Sequence, residues 1–362
     1  MQTKDVLDRW REPAKWRRPG RVALANAPRV DPAEPLHAAL LAAGVDVVPA
    51  PLLDEDGCAG AAVADSDTVV SGGAPLGETF FAGLRSTRLL LRPYVGYDDI
   101  DVAAATGNGV LVANVPDAIT TDVANHAMAL ILAANREVLR LDAFVRDGGW
   151  ARIRRRPPDD IVLRRPEVQT LGLLGFGRIA RATARLAAPF GYRLIAHDPY
   201  VEAAVLEAHG VAPVSLDEVL RESDVLSVHV FLSPETHHLL DAGRIALMKP
   251  TAWVVNTARG RVIDEEALVA ALREERIAGA ALDVMEREPL DPDSPLLGLR
   301  NVIVSPHVAG SSIEGIRRLR ERAAEIALQV AMGGLPERQV VVNKDLYDRL
   351  AALPELAGVP RP

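Results

Sequence analysis

The chain has 362 residues, which leaves room for about two domains. Hydrophobic residues make up 49% and charged residues 25%, as in globular proteins with sizeable cores, and the net charge of −8 argues against nucleic acid or an anionic membrane as the main partner. Cys58 is the only cysteine, which excludes an intramolecular disulfide and a cysteine-based zinc site. Because no apolar run can cross a bilayer and the first twenty residues lack the apolar segment of a signal peptide, we expect a cytoplasmic protein without a membrane partner.

The first part of the chain alternates short apolar runs with helical patterns. A helix is predicted over Leu36–Ala43, and the strand-like runs are RVALANA, VDVVPAP, DTVVSGG, RLLLRP and GVLVANVP. Such alternation is typical of a parallel sheet wrapped by helices.

A long helix is predicted from Thr121, over TDVANHAMALILAANREVLRLDAFVRDGGW, because a Thr-Asp pair can start it and a Gly-Gly pair can end it. Six apolar runs follow, QTLGLLG, RLIAHD, VLSVHV, WVVNTA, GAALDV and NVIVSPH. Their continuous apolar character predicts strands that are buried on both faces. A last helix is predicted over Gly315–Met332.

An arginine-rich run, RIRRRPPDDIVLRR, extends from Arg152 to Arg165. We expect a solvated loop, with a subunit-contacting arm as the alternative. Prolines and paired aspartates interrupt the run and no aromatic residues lie within it, which argues against nucleic-acid binding.

A glycine-rich turn, GFGRIA, lies between an apolar strand and a helical pattern. Gly175 allows the tight turn, Gly177 allows a pyrophosphate to approach the backbone, and Ala180 is small enough for packing between helix and strand. Asp198 ends the next strand twenty-one residues after Gly177, where an acid can bind a ribose diol and repel a 2′-phosphate. The pattern favours NAD over NADP; the alternative is a plain strand–turn–helix with an acid there by chance.

Three later strands each end in an ionisable residue. Arg259 follows one strand, Asp283 and Glu288 follow the next, and His307 follows the third. Because ligands of open α/β sheets bind at the carboxyl ends of the strands, we expect these groups to converge there.

From about Val69 to about Ala331 the chain resembles the D-isomer-specific 2-hydroxyacid dehydrogenases. The matching motifs are RPYVGYDDID, NVPDAITTDVANHAMALIL, GLLGFGRIA, HDPY, SPETHHLL, MKPTAWVVNTARGRVIDEEAL, GAALDVMEREPL and SPHVAG. The resemblance implies an α/β fold with two Rossmann-like, doubly wound parallel-sheet domains and a cleft between them. Residues 117–308 would form the NAD-binding domain, and residues 1–116 with 309–362 would form a discontinuous substrate domain.

The resemblance also implies an NAD-dependent enzyme that interconverts a small D-2-hydroxy acid and its 2-oxo acid. His307 would be the acid/base, Glu288 would fix its tautomer, and Arg259 would hold the substrate carboxylate. Glu288 is preferred over its neighbour Glu286 because it directly precedes Pro289, as in the family motif.

The implied binding residues form two sets. The substrate set is Tyr94, Val95 and Gly96 together with Arg259. The cofactor set is Gly175, Gly177, Arg178, Ile179, Asp198, Thr257, Ala258, Arg259, Asp283, His307 and Gly310, with NADH preferred over NADPH. No metal is expected, since the histidines show no ligand spacing and hydride transfer needs none.

Four other histidines have no catalytic case. We expect His126, in the long helix, to cap or pack within the domain junction, and His229 either to pack or to contact the cofactor loop. His237 and His238 are predicted to begin a solvated helix.

Two residues depart from the family pattern. Phe231 stands where the family usually has proline and can change packing near the adenine, and Tyr94 stands where glycine is common and can wall the pocket or offer a hydroxyl to the substrate. The segment DTVVSGGAPLGETF has no lysine or arginine, which disfavours a phosphorylated substrate. The acidic Glu288 disfavours formate, whose dehydrogenases have an amide beside the histidine.

Two alternative functions are open, and one partner is implied. The motifs HDPYV and THHLL also resemble the C-terminal-binding-protein corepressors, so the competing function is an NAD(H)-sensing binding protein with vestigial dehydrogenase activity. A third possibility is a dehydrogenase of an unusual, bulkier acid. The resemblance further implies a homodimer that forms through the helix from Thr121 and the loop after it.

Overall fold

A computed structural model of the chain describes residues 6–11, 19–153, 157–159 and 161–356. Arg154, Arg155, Arg156 and Asp160 of the arginine-rich run lie outside these described residues. The strands are β1 (Arg21–Ala25), β2 (Asp46–Ala50), β3 (Thr68–Val70), β4 (Leu89–Leu91), β5 (Leu111–Ala113), β6 (Thr170–Leu174), β7 (Arg193–His197), β8 (Ala212–Pro213), β9 (Val225–Val228), β10 (Trp253–Asn256), β11 (Gly279–Leu282) and β12 (Val302–Val304).

The α-helices alternate with these strands along most of the chain. They are α1 (Pro35–Ala42), α2 (Ala61–Ala64), α3 (Glu78–Gly83), α4 (Val102–Gly107), α5 (Thr120–Asn135), α6 (Val138–Arg146), α7 (Arg178–Ala187), α8 (Ala203–Glu207), α9 (Leu216–Glu222), α10 (Ala242–Ile245), α11 (Glu265–Arg273), α12 (Ile313–Ala331) and α13 (Lys344–Ala351). None of the helices in the described ranges combines the length and the apolar character that are needed to cross a bilayer.

The chain divides into two compact units. The first consists of the described residues up to Ile119 and from Ile313 onward, and the second is Thr120–Ser312. The first contains a parallel sheet in the order β2-β1-β3-β4-β5, and the second a parallel sheet in the order β12-β11-β10-β9-β6-β7-β8. The predicted α/β fold with two doubly wound parallel sheets is therefore confirmed.

Apolar side chains from both faces of each sheet are buried. In β4, Leu89 and Leu91 belong to one hydrophobic cluster and Leu90 to another, and in β10 Val254 and Val255 divide in the same way. Burial on both faces explains why these strands read as continuous apolar runs. The edge strand β8 has only two residues and no such run, so no sequence pattern predicts it.

The single long helix predicted from Thr121 is wrong. Helix α5 ends at Asn135 and α6 begins at Val138, because Glu137 between them adopts a left-handed backbone with φ of +51°. The amide of the buried Asn135 donates to the hydroxyl of Tyr192 at 3.0 Å, so a tertiary contact holds the end of α5.

The strand order of the second sheet indicates where a ligand can bind. Counted from β6, the strands run 3-2-1-4-5-6-7, and the direction of winding reverses between β6 and β9. Ligands of open α/β sheets bind at such a reversal, outside the carboxyl ends of the strands. The glycine turn after β6 lies at this point.

Candidate active site

The glycine turn joins β6 to α7. Gly175 has φ of +92°, and a Cβ there would lie 3.0 Å from the backbone of His229, so the position requires glycine. A Cβ on Gly177 would meet no atom within 4 Å, and Gly177 offers α7 no side-chain cap. Open space before an uncapped helix N-terminus fits a pyrophosphate. Ala180 is fully buried, as a packing residue should be.

Asp198 is bound to the turn itself. Its carboxylate accepts hydrogen bonds from the N–H of Phe176 at 2.7 Å and the N–H of Tyr200 at 2.9 Å. Each carboxylate oxygen has a second lone pair, which leaves acceptor capacity for ribose hydroxyls. Arg178 and Ile179 open α7 beside it, the first exposed and the second half-buried.

His307 and Glu288 form a hydrogen-bonded pair. Nδ1 of His307 lies 2.7 Å from Oε2 of Glu288, and the two side chains are 50% and 37% exposed, so a small molecule can reach them. Because a carboxylate only accepts hydrogen bonds, Nδ1 carries the proton and Nε2 is left to exchange a proton with a substrate.

The same contact sets the charge state of both groups. The hydrogen bond to Glu288 raises the pKa of His307, against the opposing effects of burial and of the Arg259 charge. Burial acts to raise the pKa of Glu288, but the hydrogen bond and charge of His307, the N–H of Met285 and the charge of Arg259 outweigh it and lower that pKa. An imidazolium beside a carboxylate is thus favoured.

The loop that carries His307 is anchored on Asp283, which is fully buried directly after β11. The carbonyl of Asp283 accepts from the His307 N–H at 2.8 Å. Its carboxylate accepts from Ser305 Oγ at 2.6 Å, Val308 N–H at 3.0 Å and Ala309 N–H at 2.9 Å. These bonds hold His307 at φ of +54°, a conformation that a non-glycine residue keeps only with support from its surroundings. The predicted contact of Asp283 with the cofactor stays a prediction.

Arg259 lies three residues after β10, in a turn that Asn256 fixes. The Asn256 amide accepts from the Ala258 N–H at 3.0 Å and donates to the Arg259 carbonyl at 2.9 Å. The Arg259 guanidinium donates to the Ala258 carbonyl at 2.6 Å, and its charge acts on the pKa values of the pair described above. The three predicted catalytic side chains are thus brought together at one edge of the second sheet.

Thr257 supplies a test of whether a polar ligand fits this edge. Its hydroxyl is buried and has no hydrogen-bond partner among the described residues. Such a group normally finds a partner in an ordered water or a ligand. The cofactor set from Gly175 to Thr257 therefore fits a dinucleotide. Ala258 is half-buried beside Thr257, and Gly310 is half-buried in the turn after the His307 loop.

The predicted substrate loop follows β4 in the first unit. The hydroxyl of Tyr94 accepts hydrogen bonds from the N–H of Gly73 at 2.6 Å and from Nη1 of Arg92 at 3.0 Å. Tyr94 therefore ties the loop after β3 to the loop after β4, and only its hydroxyl hydrogen remains for another partner.

The backbone of this loop is oriented by its carbonyls. The Tyr94 carbonyl accepts from the Val115 N–H at 3.1 Å and the Val95 carbonyl from the Asn114 amide at 2.6 Å. The N–H groups of Val95 and Gly96 donate no hydrogen bond within the part of the chain that the structure describes. Two such donors suit a carboxylate.

Two of the other histidines have packing roles. Nε2 of His126 lies 3.0 Å from Ser305 Oγ, which in turn donates to Asp283. Burial lowers the pKa of His229 to about 4, and its Nε2 lies 2.9 Å from Ser227 Oγ. His229 is therefore neutral at pH 7.

The prediction that His237 and His238 begin a helix is wrong. They lie in a turn before α10, whose first turn is capped by the carboxylate of Asp241 instead. Their rings stack with centroids 4.1 Å apart, and Nε2 of His238 lies 2.9 Å from Oε1 of Glu286.

Two supporting residues carry no role in the sequence interpretation. Asn256 fixes the Arg259 turn, and Ser305 links Asp283 to His126. Each is a short polar residue close to a predicted site residue, which is the mark that the sequence offers: Asn256 ends β10, and Ser305 lies two positions before His307.

The chain is similar to known proteins of one enzyme family. The family model for the NAD binding domain of D-isomer specific 2-hydroxyacid dehydrogenases matches residues 128–309. A glyoxylate reductase of Korarchaeum cryptofilum is 40% identical over 274 residues, which are 75% of this chain and 81% of that enzyme. A D-3-phosphoglycerate dehydrogenase of Methanocaldococcus jannaschii is 39% identical over 80% of this chain and 55% of that enzyme.

A solved structure extends the similarity to most of the fold. The D-lactate dehydrogenase of Aquifex aeolicus, complexed with NAD and lactic acid, matches with a TM-score of 0.73 and 28% identity over 84% of this chain and 93% of that one. The chain therefore belongs to the D-isomer specific 2-hydroxyacid dehydrogenase family and contains the NAD-binding domain of that family.

Proposed function

We propose that the protein interconverts a small D-2-hydroxy acid and its 2-oxo acid with NAD(H), using His307 as the acid/base. The observation that carries this proposal is the 2.7 Å bond between His307 Nδ1 and Glu288 Oε2, which lies where the charge of Arg259 acts on both groups.

The chemistry follows from these three side chains. In reduction, bound NADH supplies a hydride to C2 of the 2-oxo acid. Protonated His307 gives its Nε2 proton to the carbonyl oxygen, which becomes the hydroxyl, while Glu288 stabilises the imidazolium before transfer. In oxidation, neutral His307 takes the hydroxyl proton at Nε2. Arg259 holds the substrate carboxylate with its planar guanidinium, which binds a carboxylate through two parallel hydrogen bonds.

The substrate is expected to be small and unphosphorylated. The N–H groups of Val95 and Gly96, which donate no hydrogen bond within the described residues, would suit its carboxylate. Arg92 in the same unit is fully buried and paired with Asp99 at 2.7 Å, so its charge is already compensated. The names of the relatives, glyoxylate reductase and D-lactate dehydrogenase, support a short side chain.

NADH would be preferred over NADPH because of Asp198. A carboxylate that is held against the glycine turn accepts ribose hydroxyls and repels a 2′-phosphate. The backbone of Arg178 and Ile179 would bind the pyrophosphate. Thr257, Ala258 and Arg259 would line the nicotinamide side, and Asp283 would accept from the carboxamide.

The test is NADH consumption against a panel of 2-oxo acids that includes glyoxylate, pyruvate, a bulkier aliphatic acid and 3-phosphohydroxypyruvate. Turnover of an unphosphorylated acid supports the proposal. Tight NADH binding, measured by fluorescence, without turnover of any acid would favour the sensing function instead. Preference for the phosphorylated acid would contradict the substrate assignment.

A homodimer would form through α6, which has no buried residue. Val138, Leu139 and Val145 on this helix are 40% to 51% exposed, and Trp150 after it is 71% exposed. Single exposed apolar residues are ordinary, but four of them on one helix and the turn after it suit a protein interface. Light scattering should show a dimer that Leu139→Glu dissociates, whereas the control Leu41→Glu, at a 41% exposed site on α1, should remain dimeric. Unchanged mass in Leu139→Glu would contradict this interface.

A further inference from the structure

The Arg259 turn and the Glu288 loop touch through their backbones. A Cβ on Gly260 would lie 1.8 Å from the carbonyl oxygen of Met285 and 2.4 Å from the N atom of Glu286. No side chain fits in that space, so the segment beginning at Arg259 packs directly on the segment that leads to Glu288.

Glu286 fastens this contact from one side. Its carboxylate accepts from the Glu265 N–H at 3.2 Å, and its own N–H donates to the Glu265 carboxylate at 3.0 Å. Two carboxylates are thus held close together. The N-terminus of α11 and a neighbouring imidazole offset their repulsion.

That imidazole belongs to His238. Its Nε2 lies 2.9 Å from Oε1 of Glu286 and must carry the proton, because a carboxylate only accepts. The side chains of His238 and Glu286 are 34% and 33% exposed, so both are partly accessible to solvent.

The segment around His238 is itself joined to the Arg259 turn. The His238 N–H donates to the Arg261 carbonyl at 2.8 Å, and the Leu240 N–H donates to the Val262 carbonyl at 3.0 Å. His238 has φ of +50°, a strained conformation that this pairing and the Glu286 contact hold in place.

We propose that Glu286 and His238 are positioning residues that hold Arg259 in register with Glu288 and His307. Together with Glu265 they form a brace across the loops that follow β9, β10 and β11. The brace acts through Arg259 and Glu288 and touches no reacting atom. This inference rests on the proposed function, which places Arg259 at the substrate carboxylate and Glu288 behind His307.

The brace acts at two points. The Met285 N–H donates to Glu288 Oε1 at 3.1 Å, so movement of the Met285–Glu286 backbone disturbs the carboxylate that bonds to His307. The same movement shifts Gly260 and with it the adjacent Arg259. Because catalysis depends on sub-ångström placement of the reacting groups, loss of the brace should weaken two things together: the hold of Arg259 on the substrate carboxylate and the hold of Glu288 on His307.

The experiment compares Glu286→Ala, Glu286→Gln and His238→Asn with Arg287→Ala, an exposed neighbour of Glu286, as the control. Asparagine is chosen at position 238 because it tolerates a left-handed backbone. We expect Glu286→Ala to raise KM for the 2-oxo acid about tenfold. NADH affinity should stay within about twofold, since the glycine turn and Asp198 lie elsewhere on the sheet edge. Glu286→Gln should recover part of the loss, and the double variant Glu286→Ala/His238→Asn should be no worse than Glu286→Ala alone.

A second measurement does not depend on turnover. The pKa of His307, followed by NMR titration and assigned with His307→Gln, should fall toward 6.5 in Glu286→Ala and stay unchanged in Arg287→Ala. A folded Glu286→Ala protein with unaltered KM and unaltered His307 pKa would overturn the brace. If Glu286→Ala does not fold, the same two readings in Glu286→Gln and His238→Asn decide. If the wild-type protein reduces no 2-oxo acid, the proposed function fails, whereas the His307 titration still tests the brace.

Discussion

The N–H of His307 donates to the carbonyl of Asp283, and the carboxylate of the same aspartate binds the next two N–H groups of the His307 loop. One buried residue directly after β11 therefore determines where His307 lies. The imidazole faces Glu288 because its backbone is anchored on a different acid.

Asp283→Asn should destabilise this loop. An amide has one acceptor oxygen, so it cannot accept from Ser305, Val308 and Ala309 in the geometry of the carboxylate, and a buried donor is left unpaired. We expect a loss of about 1–3 kcal/mol of unfolding free energy in urea titrations. Asp293→Asn, at an exposed site, is the control and should be neutral. Equal stability of the two variants would argue against the anchor.

Glu288→Gln should move the pH profile of reduction. Protonated His307 is the active form, so kcat/KM is constant at low pH and falls as pH rises through its pKa. The raised pKa of His307 places this fall above 6.5. Glutamine removes the charge that raises this pKa, so the fall should shift to lower pH and kcat/KM at pH 7.5 should drop about ten- to hundredfold.

The same pair has a matching effect on stability. The pKa of His307 is higher in the folded protein than in the unfolded chain. The contribution of the pair to the free energy of unfolding is therefore complete below pH 6.5 and is lost as the pH rises through the pKa of the folded protein. If the pH profile of kcat/KM for Glu288→Gln superimposes on that of the wild type, Glu288 is excluded as the residue that raises the pKa of His307.

His229 should make stability fall as pH drops. Burial lowers its pKa from 6.5 to about 4, so between these values the unfolded chain binds a proton that the folded protein refuses. Unfolding free energy should therefore decrease from pH 6.5 downward with a slope of at most about 1.4 kcal/mol per pH unit. In His229→Gln this slope should be smaller when urea midpoints are compared at pH 6.5 and 5. Parallel curves would mean that His229 titrates normally.

Asp198→Asn should relax the choice of cofactor. Removing the carboxylate charge removes the repulsion of a 2′-phosphate, which is worth about 1 kcal/mol or more, so the NADPH to NADH ratio of kcat/KM should rise about tenfold. Glu202→Gln is the control, since this exposed acid at the start of α8 makes no cap. An unaltered ratio in Asp198→Asn would remove Asp198 from cofactor selection.

Local pattern was enough for every strand except β8 and for the positions of the ionisable groups. Gly175, Gly177 and Asp198 were recognisable by spacing, and Arg259, Glu288 and His307 by their places after buried strands. These features depend on short stretches of chain, where steric limits and burial act directly.

Contacts between distant segments were not predictable. The break at Glu137 depends on Asn135 reaching Tyr192, and the turn at His238 depends on Glu286, forty-eight residues later. A helical pattern continues through Glu137, and one was expected to begin at His237 and His238, so only the packed structure reveals that neither place is helical. The close approach of Gly260 to Met285 likewise leaves no trace in the local sequence.

The most direct test is reduction of a 2-oxo acid by NADH in His307→Ala. We expect NADH binding to persist while kcat/KM falls by about 10²–10⁴, because the proposed proton donor is lost and the glycine turn is intact. Turnover equal to that of the wild type, with NADH bound, would contradict the assignment of His307 as the acid/base.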